Sequence, residues 1–340
     1  MRRSRTPHPS ASAADRVLNR NESSSVSLVS ELFKVVPMEK FVIVGAGATG
    51  RAVARELASS EAEVIVVTRS GTEIPGSRAV AGDASDGDFL SRVSHGATAI
   101  FNCANPPYHR WITDWPPIAS ALLAAAKSSG AVLTTLSNLY AYGPPTSPMR
   151  PSDPFISDLP KAQVRARMWH EAIAAHEQGD IRATEVRASD FIGAGSQSFF
   201  ERALKPLLAG KSVSVIGNPD VTHSWTYTGD VGRSLVSAAT NPLAWGRAWH
   251  AVTNPPKTMR EVIADMARAA GVPEPSVRRI PTGVLRALGL VSPMMRELPK
   301  TLYQFESPFV IDDVATRVEL GLTPTNWSDV VAEAVGRSRR

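Results

Sequence analysis

The sequence predicts an α/β fold with a doubly wound parallel sheet and a smaller carboxy-terminal lobe. Short apolar segments rich in β-branched residues alternate with helix-like segments between residues 41 and 187. The first of these segments runs directly into a glycine-rich turn at residues 45–50. Beyond residue 192 the alternation gives way to stretches rich in glycine and proline with short helical pieces. Alternating strands and helices are typical of parallel sheets with right-handed crossovers.

Each element is predicted from its local pattern. Buried strands are predicted from runs of apolar and β-branched residues, at residues 41–44, 63–68, 78–82, 98–103, 131–136 and 181–187. Helices are predicted where alanine-rich or amphipathic segments lie between them, at residues 51–59, 86–93, 118–129 and 161–178. A further helix against the sheet is expected at residues 230–239 with Asp230 as its N-cap, followed by a last strand at residues 248–252.

The glycine-rich turn reads GAGATG and lies between the first strand and the first helix. In a dinucleotide-binding fold the first glycine permits a tight turn, the second admits the pyrophosphate, and the third lets the helix pack closely. The N-terminus of that helix attracts the anion. We therefore predict a Rossmann-type site for a nicotinamide dinucleotide. The predicted contacts in the turn and after the fourth strand are Gly45, Gly47, Ala48, Thr49, Gly50, Asn102 and Ala104.

The end of the second strand indicates which dinucleotide to expect. NAD-specific folds place a carboxylate there, about 20 residues beyond the glycines, to bind the ribose 2′-hydroxyl. Here the strand ends with Thr68, Arg69 and Ser70. Because a guanidinium pairs well with a 2′-phosphate, Arg69 favours NADP, and NAD is the alternative if Arg69 is only a solvated loop residue. Asp83 either accepts a hydrogen bond from the adenine amino group or serves as an N-cap or turn residue.

The first 37 residues differ in composition from the rest of the chain. They are rich in serine and arginine and hold six of the 37 Lys and Arg residues against three of the 32 acidic ones. We expect a disordered extension, with Met38 as the start of the native protein and a transit peptide as the alternative. Most of the net charge of +5 lies in this segment. The remainder therefore has too little positive charge for a nucleic-acid-binding surface.

The remaining residues predict two domains. Residues 38–192 with about 226–252 are assigned to the nucleotide-binding domain, about 193–225 with 253–330 to the second lobe, and 331–340 to a tail. No apolar run approaches the roughly 20 residues that a membrane span requires. Cys103 is the only cysteine, so no internal disulfide can form. We therefore expect a cytoplasmic protein without a membrane partner.

Five motifs occur in an order that resembles the extended and atypical short-chain dehydrogenase/reductases, the NAD(P)-dependent epimerase/dehydratase family. They are GAGATG at 45–50, GDASD at 82–86, SNLYAYGP at 137–144, RASDFIGAG at 187–195 and WTYTGDV at 225–231. The resemblance covers about residues 38–330. It implies an NAD(P)-binding domain and a substrate lobe built largely from the carboxy-terminal part.

The family resemblance also implies a catalytic serine, a tyrosine, and a lysine four residues after that tyrosine. None of the five tyrosines in this chain has a lysine at that spacing. When the motif at 187–190 is aligned with the family pattern, Lys161 takes the tyrosine position and Arg165 the lysine position. Asn138 replaces the serine, and Tyr140 lies two residues further on.

Lys161 and Arg165 lie one helical turn apart at the start of a predicted helix, so they share a face. A lysine beside a guanidinium at a helix N-terminus can serve as an acid or base. We hypothesise that Lys161 or Tyr140 protonates the substrate oxygen as hydride leaves the nicotinamide. The alternative is that Lys161 and Arg165 only line the cofactor ribose or face solvent.

Four residues are expected to line the substrate pocket. Asn105 and Tyr108 follow the fourth strand, in a loop that runs past the nicotinamide in this fold. Asp190 stands where the related sugar-nucleotide epimerases have an asparagine facing the substrate, and a carboxylate there would repel a diphosphate. Trp225 either faces the pocket or packs in the core. The histidines show no metal-binding spacing, so no metal is expected.

Two functions remain open at this point. The first is an NADP-dependent oxidoreductase or epimerase that acts on a small polar carbonyl or alcohol. The second is a catalytically silent NAD(P)-binding sensor or regulatory protein, which the replaced catalytic residues favour. The predicted helix at 118–129 is apolar on more than one face, so it could also form a homodimer interface.

Overall fold

The structure is a computed structural model that describes residues 38–193, 195–196, 198–281, 283–284 and 298–336. The predicted extension at residues 1–37 lies outside the described residues. In chain order the strands are β1 Lys40–Val44, β2 Glu63–Thr68, β3 Arg78–Ala81, β4 Ala99–Asn102, β5 Val132–Ser137, β6 Arg182–Arg187, β7 Phe191–Ile192, β8 Val213–Val215, β9 Thr222–His223, β10 Thr226–Tyr227, β11 Ala248–His250, β12 Lys257–Thr258 and β13 Val277–Arg279. The α-helices are α1 Ala48–Leu57, α2 Gly87–Val93, α3 Trp111–Ser129, α4 Pro160–Glu177, α5 Phe199–Leu208, α6 Thr228–Thr240, α7 Met259–Ala270, α8 Val314–Glu319 and α9 Trp327–Gly336.

Within the described residues, the central sheet has seven strands in the spatial order β11-β6-β5-β4-β1-β2-β3. All neighbouring strands are parallel. The strand order reverses between β1 and β4, so helices cover both faces of the sheet and the carboxyl ends of the strands meet at one edge. The predicted Rossmann-type fold is confirmed, including the last strand, β11.

The residues of β1 show why the sheet is buried on both faces. Phe41 and Ile43 pack with apolar residues of α1 and α6. Val42 and Val44 point the other way and pack with residues of α2, α3 and α4. A strand that is apolar at every position is typical of a parallel sheet between two helix layers.

Two predictions about the helices that cover the sheet were wrong. Helix α3 begins at Trp111, seven residues before the predicted start, although Pro116 and Pro117 lie inside it. The prolines remove two backbone donors, but burial of Trp111 and Trp115 against α4 favours the longer helix. Asp230 is not an N-cap, because α6 begins at Thr228. Its buried carboxylate instead accepts hydrogen bonds from the backbone and hydroxyl of Thr325.

The carboxy-terminal lobe has a hydrophobic core of its own. Helices α5, α7 and α9 and the strands β8 and β10 supply its buried side chains. The boundaries proposed between the two domains remain a prediction. The predicted tail at 331–340 is wrong for residues 331–336, because α9 continues to Gly336. Val330, Val331 and Val335 hold that helix in the lobe core.

Candidate active site at the carboxyl edge of the sheet

The glycine-rich turn joins β1 to α1 at the carboxyl edge of the sheet. Gly45 has φ +107°, and a Cβ there would lie 2.5 Å from the Cys103 carbonyl oxygen. A Cβ on Gly50 would overlap the carbonyl of Gly45. By contrast, a Cβ on Gly47 would meet no atom within 4 Å. The first and third glycines are therefore required by packing, whereas the second faces open space at the N-terminus of α1.

A cavity of about 390 Å³ lies beside this turn. Gly47 and Ala48 line one wall together with Arg51 of α1, and Glu201 of α5 is on the lobe side. Thr49 is buried near the thiol of Cys103 and does not line the cavity. Of the predicted cofactor residues of the turn, Gly47 and Ala48 therefore face the cavity.

Asn102 and Ala104 lie at the end of β4, as predicted. The Asn102 side chain is buried, and its Oδ1 accepts from the backbone N–H of Ala104 at 3.3 Å. Within the described residues, no group accepts a hydrogen bond from its Nδ2. A buried donor without an acceptor is costly, so a ligand acceptor at this edge would stabilise it. Burial raises the pKa of the neighbouring Cys103 to about 12, which excludes this thiol as a nucleophile at neutral pH.

The ends of β2 and β3 hold the residues that were predicted to bind the adenosine part of the cofactor. Arg69 is exposed, and among the described residues it forms no hydrogen bond or ion pair. Asp83 lies close enough for its charge to interact with Arg69. The Asp83 Oδ1 accepts from the backbone N–H and the hydroxyl of Ser85, both at 2.9 Å, and the backbone bond is the main reason its pKa is lowered. Asp83 therefore forms a turn, the second of the two predicted roles.

Four side chains form an aromatic cluster past the ends of β4 and β5. Its members are Tyr108, Trp111, Tyr140 and Lys161. The Trp111 ring centroid lies 4.9 Å from that of Tyr108 and 5.9 Å from that of Tyr140. Lys161 is only 7% exposed, and its Nζ lies 3.7 Å above the centre of the Tyr108 ring. The aromatic cluster thus brings together Tyr108, Tyr140 and Lys161, which were predicted separately.

Tyr140 is the proton-carrying group of the cluster. Its burial raises the pKa of the phenol well above 10, and the nearby Tyr108, Asp190 and Tyr303 add to the effect. The Tyr108 ring packs edge-on against that of Tyr140, with the ring centroids 6.2 Å apart. Tyr140 therefore keeps its proton at neutral pH, which suits a proton donor and not a base.

Asn138 and Arg165 support this cluster. The Asn138 Oδ1 accepts from the backbone N–H of Tyr140 at 3.1 Å and so fixes the turn that presents the phenol. Arg165 is 4% exposed, donates to the Leu136 carbonyl, and lies with its guanidinium carbon 4.5 Å from the Trp115 ring centre. Burial lowers the pKa of Arg165 to about 10, so it remains a cation at neutral pH. Its guanidinium ties α4 to β5, which does not support the catalytic role predicted for it.

Asp190 lies between β6 and β7, directly before Phe191 of β7. Its side chain is 38% exposed, and its Oδ2 lies 2.9 Å from Nε2 of His223. Asn105 is exposed in the loop after β4. Trp225 is 3% exposed and donates its indole N–H to the Lys257 carbonyl at 2.9 Å. Trp225 is therefore a core residue of the lobe, and the pocket role predicted for it is wrong.

Sequence reasoning missed three residues of this region. Trp111 was hidden by the two prolines that follow it, His223 was considered only as a metal ligand, and Tyr303 lies in the least patterned part of the chain. The Tyr303 hydroxyl is buried with no hydrogen-bond partner in the described ranges, and burial raises its pKa to about 12. No periodicity or motif marks Tyr303, because its neighbours are distant in sequence.

In the described ranges, no group of three or more His, Cys, Asp and Glu side chains could hold a metal ion. No helix in the same ranges is long and apolar enough to cross a membrane.

The fold and this edge of the sheet define a Rossmann-type protein that binds a nicotinamide dinucleotide. A family model described as the NAD dependent epimerase/dehydratase family matches residues 41–249, more than half of the chain. The chain belongs to this family, whose members are nicotinamide-dependent enzymes. This confirms the resemblance drawn from the motifs. A search of curated proteins found no match.

Solved structures with the same fold are distant in sequence. The chain is similar to dTDP-glucose 4,6-dehydratase (DesIV) from Streptomyces venezuelae, solved with NAD, at 22% identity and a TM-score of 0.69 over 89% of this chain and 97% of that one. It is similar to WbmH from Bordetella bronchiseptica, in complex with NAD+, at 18% identity and a TM-score of 0.69 over 89% and 99%. UDP-N-acetylglucosamine 4-epimerase from Bacillus cereus matches at 15% identity and a TM-score of 0.70 over 88% and 96%.

Proposed function

We propose that this protein is an NADP-dependent oxidoreductase or epimerase that acts on a small polar carbonyl or alcohol, with the usual serine, tyrosine and lysine replaced. The observation that carries the proposal is that three features lie at one edge of the sheet. They are the open face of Gly47, the Arg69 guanidinium, which has no hydrogen bond or ion pair among the described residues, and the protonated phenol of Tyr140. The first two fit a phosphorylated dinucleotide, and the third fits a carbonyl oxygen.

Arg69 supports NADP over NAD. It lies at the end of β2, where the ribose of the adenosine is bound in this fold. An exposed guanidinium with no hydrogen-bond partner in the described part of the chain can form two parallel hydrogen bonds with a 2′-phosphate. The similar structures described above hold NAD, so the preference for NADP depends on this residue of the present chain.

The residues of the pocket edge support hydride chemistry on a carbonyl compound. A bound nicotinamide supplies or accepts the hydride. Tyr140 donates a proton to the substrate oxygen, or returns it in the reverse direction, and Asn138 fixes the backbone that carries it. The ammonium group of Lys161 lies over the Tyr108 ring, beside the Tyr140 phenol, and its positive charge stabilises a developing oxyanion.

A small substrate without a diphosphate is supported by Asp190. Its carboxylate is partly exposed and would repel a phosphate group. The alternative, a catalytically silent sensor, is less well supported because the aromatic cluster retains a proton donor. A cytoplasmic location and a homodimer through the helix at 118–129 remain predictions.

The proposal is tested by following nicotinamide absorbance with NADPH, NADH and a panel of small aldehydes, ketones and hydroxyketones. We expect oxidation of NADPH with at least one member of the panel, and slower oxidation of NADH. Tight NADPH binding without turnover of any member would favour the sensor and contradict the proposal.

A further inference from the structure

The cavity beside the glycine-rich turn extends away from the edge of the sheet, and we call it the α1 cavity. Its wall on the sheet side follows one face of α1 from Ala48 through Arg51 to Arg55. Because each helical residue rises 1.5 Å, this wall reaches about 12 Å beyond Gly47. The residues expected at the adenosine and the nicotinamide do not line it, namely Arg69, Asp83, Asn102 and Tyr140. The α1 cavity therefore meets the expected path of the dinucleotide only at the turn.

The floor of the α1 cavity is apolar and buried. Phe200 of α5 and Met266 of α7 line it from the lobe side, and each is 1% exposed. Ala52 of α1 lies on the opposite side and is also buried. The cavity has a volume of about 390 Å³, which is within the range of small-molecule sites. An aliphatic group of a ligand would be removed from water on this floor.

A buried hydroxyl group also opens into the α1 cavity. Thr228 is the first residue of α6, lines the cavity and is 5% exposed. Among the described residues, none forms a hydrogen bond with its hydroxyl. A Cβ on the neighbouring Gly193 would lie only 2.5 Å from Thr228 Oγ1, so glycine at this position keeps the hydroxyl uncovered. The Thr228 hydroxyl can therefore donate a hydrogen bond to a ligand in the cavity.

Two guanidinium groups, those of Arg51 and Arg55, lie at the rim of the cavity on the side of α1. Both residues are exposed, and they share a face of the helix because they are one turn apart. Neither guanidinium forms a hydrogen bond or an ion pair with any described residue. The charge of Arg55 interacts with the Tyr227 phenol of the lobe. The Arg51 guanidinium is thus available to pair with a carboxylate of a ligand.

Two carboxyl side chains lie at the rim on the side of the lobe. Glu201 of α5 is exposed, and its Oε1 accepts from the backbone N–H of Gly195 at 3.1 Å. Glu333 of α9 is partly buried, and its Oε2 accepts from the Tyr227 hydroxyl at 2.5 Å. Burial and the Glu333 carboxylate raise the pKa of Tyr227, so the phenol keeps its proton for this bond. The rim therefore bears charges of both signs above an apolar floor.

We propose that the α1 cavity is a binding site for a zwitterionic α-amino acid with an aliphatic side chain. An anion alone would face the rim carboxylates, and a cation alone would face the guanidinium groups. The ligand carboxylate pairs with the Arg51 guanidinium and the Thr228 hydroxyl, and its ammonium group faces the Glu333 carboxylate. Its side chain lies on Phe200 and Met266. The inference goes beyond the proposed function, because this ligand takes no part in the reaction.

The ligand class is tested by isothermal titration calorimetry on the full chain with L-leucine as the probe. The two matched compounds are 4-methylpentanoate, which lacks the ammonium group, and 3-methylbutylamine, which lacks the carboxylate. We expect saturable binding of L-leucine that is about tenfold tighter, or more, than binding of either compound. Equal or tighter binding of either compound or of inorganic phosphate, or no saturable binding of L-leucine, would overturn the class.

Two substitutions test the position of the ligand. We expect Arg51→Gln to weaken L-leucine binding about tenfold and Thr228→Val to weaken it about fivefold. Arg92→Gln is the matched control and should bind as the unaltered protein does, since Arg92 is exposed on α2 and does not line the cavity. Unchanged binding in either Arg51→Gln or Thr228→Val would overturn the site.

A titration with L-leucine in the presence of NADP+ tests whether the site is separate from that of the dinucleotide. We expect the affinity for L-leucine to change less than about threefold when NADP+ is added in excess. Loss of L-leucine binding on addition of NADP+ would assign the cavity to the dinucleotide and overturn the proposal. Failure of the proposed function would appear separately, as absent turnover in the carbonyl panel.

Discussion

Tyr140 shows how burial at a single residue decides which chemistry is available. The short-chain dehydrogenase/reductases that this chain resembles pair the catalytic tyrosine with a lysine, whereas the nearest cation in the aromatic cluster, Lys161, lies over the Tyr108 ring. Burial raises the pKa of the Tyr140 phenol well above 10, so it carries its proton at any physiological pH. Reduction of a carbonyl therefore suits this site, because the donor is already protonated.

The first prediction at the residue scale concerns Tyr140. Tyr140→Phe removes the proposed proton donor and should lower kcat for carbonyl reduction about 100-fold or more. The rate of the unaltered enzyme should not decline between pH 6 and 9 through loss of this proton. Steady-state rates with NADPH check both points, with Tyr227→Phe as control because that tyrosine bonds to Glu333 in the lobe. An unchanged kcat in Tyr140→Phe would exclude it as the donor.

His250 gives a second prediction at the residue scale. Its ring is buried, its Nε2 lies 3.1 Å from the Tyr142 hydroxyl, and its Nδ1 lies 2.9 Å from the Asp312 carbonyl. Burial lowers the pKa of His250 from 6.5 to about 4. Between pH 4 and pH 6.5, His250 binds a proton in the unfolded chain but not in the folded protein. The contribution of neutral His250 to the free energy of unfolding is therefore complete above pH 6.5 and is lost as the pH falls towards 4.

The free energy of unfolding should therefore decrease on acidification, with a slope from this group of up to about 1.4 kcal/mol per pH unit. Urea unfolding at pH 7, 5.5 and 4.5 measures it. His250→Gln should be less stable at pH 7 but should show a shallower slope. His95→Gln, at an exposed position, is the control and should keep the original slope. An unaltered slope in His250→Gln would contradict this explanation.

At the scale of the element, one glycine of the glycine-rich turn is expected to be needed for stability and another for binding of the dinucleotide. Gly45 needs its positive φ and its close approach to the Cys103 carbonyl, whereas Gly47 has φ −68° and open space. Gly45→Ala should therefore lower the free energy of unfolding by about 2–4 kcal/mol. Gly47→Ala should change it by less than about 1 kcal/mol, yet weaken NADPH binding at least tenfold, because the methyl group takes space needed by the pyrophosphate.

Thermal unfolding and a fluorescence titration with NADPH distinguish the two variants. The pair serves as its own control, since the same substitution is made two residues apart. If Gly47→Ala bound NADPH as tightly as the unaltered protein, the dinucleotide would not lie on this turn.

The elements also show what the sequence can and cannot predict. The sheet strands were found to within about two residues because buried β-branched runs leave few alternatives. Helix α3 was predicted too short because Pro116 and Pro117 oppose a helix locally, and only the burial of Trp111 and Trp115 overrides them. Residues 331–336 of helix α9 were taken for a tail because the helix is short and its buried face depends on the lobe core.

Prediction from the sequence has the same limit at the candidate active site. That Gly47, Asn102, Tyr108 and Tyr140 lie at one edge could be predicted, because they are at or beyond strand ends, and strand ends share one edge in a parallel sheet. Their roles in binding and catalysis stay predictions. Trp225 was misplaced, since a tryptophan next to a motif can face either a pocket or a core. His223 was not linked to Asp190 because they are 33 residues apart and meet only through the fold.

At the scale of the whole molecule, the nucleotide-binding sheet and the carboxy-terminal lobe contribute different parts of the function. The sheet edge is expected to hold the dinucleotide, as the family membership implies, and on our proposal it also supplies the proton donor, Tyr140. The lobe supplies His223 and Tyr303 beside Asp190, so it is expected to determine the substrate. The central claim, an NADP-dependent enzyme, therefore depends on whether the edge distinguishes the two dinucleotides.

A binding titration with NADPH and NADH tests that claim most directly, on the unaltered chain and on Arg69→Ala. Arg92→Ala is the control, because Arg92 is exposed at the far end of α2. We predict that the unaltered protein and Arg92→Ala bind NADPH at least tenfold more tightly than NADH, and that Arg69→Ala loses this preference while its affinity for NADH is unchanged. Tighter binding of NADH, or a preference for NADPH that survives in Arg69→Ala, would contradict the account.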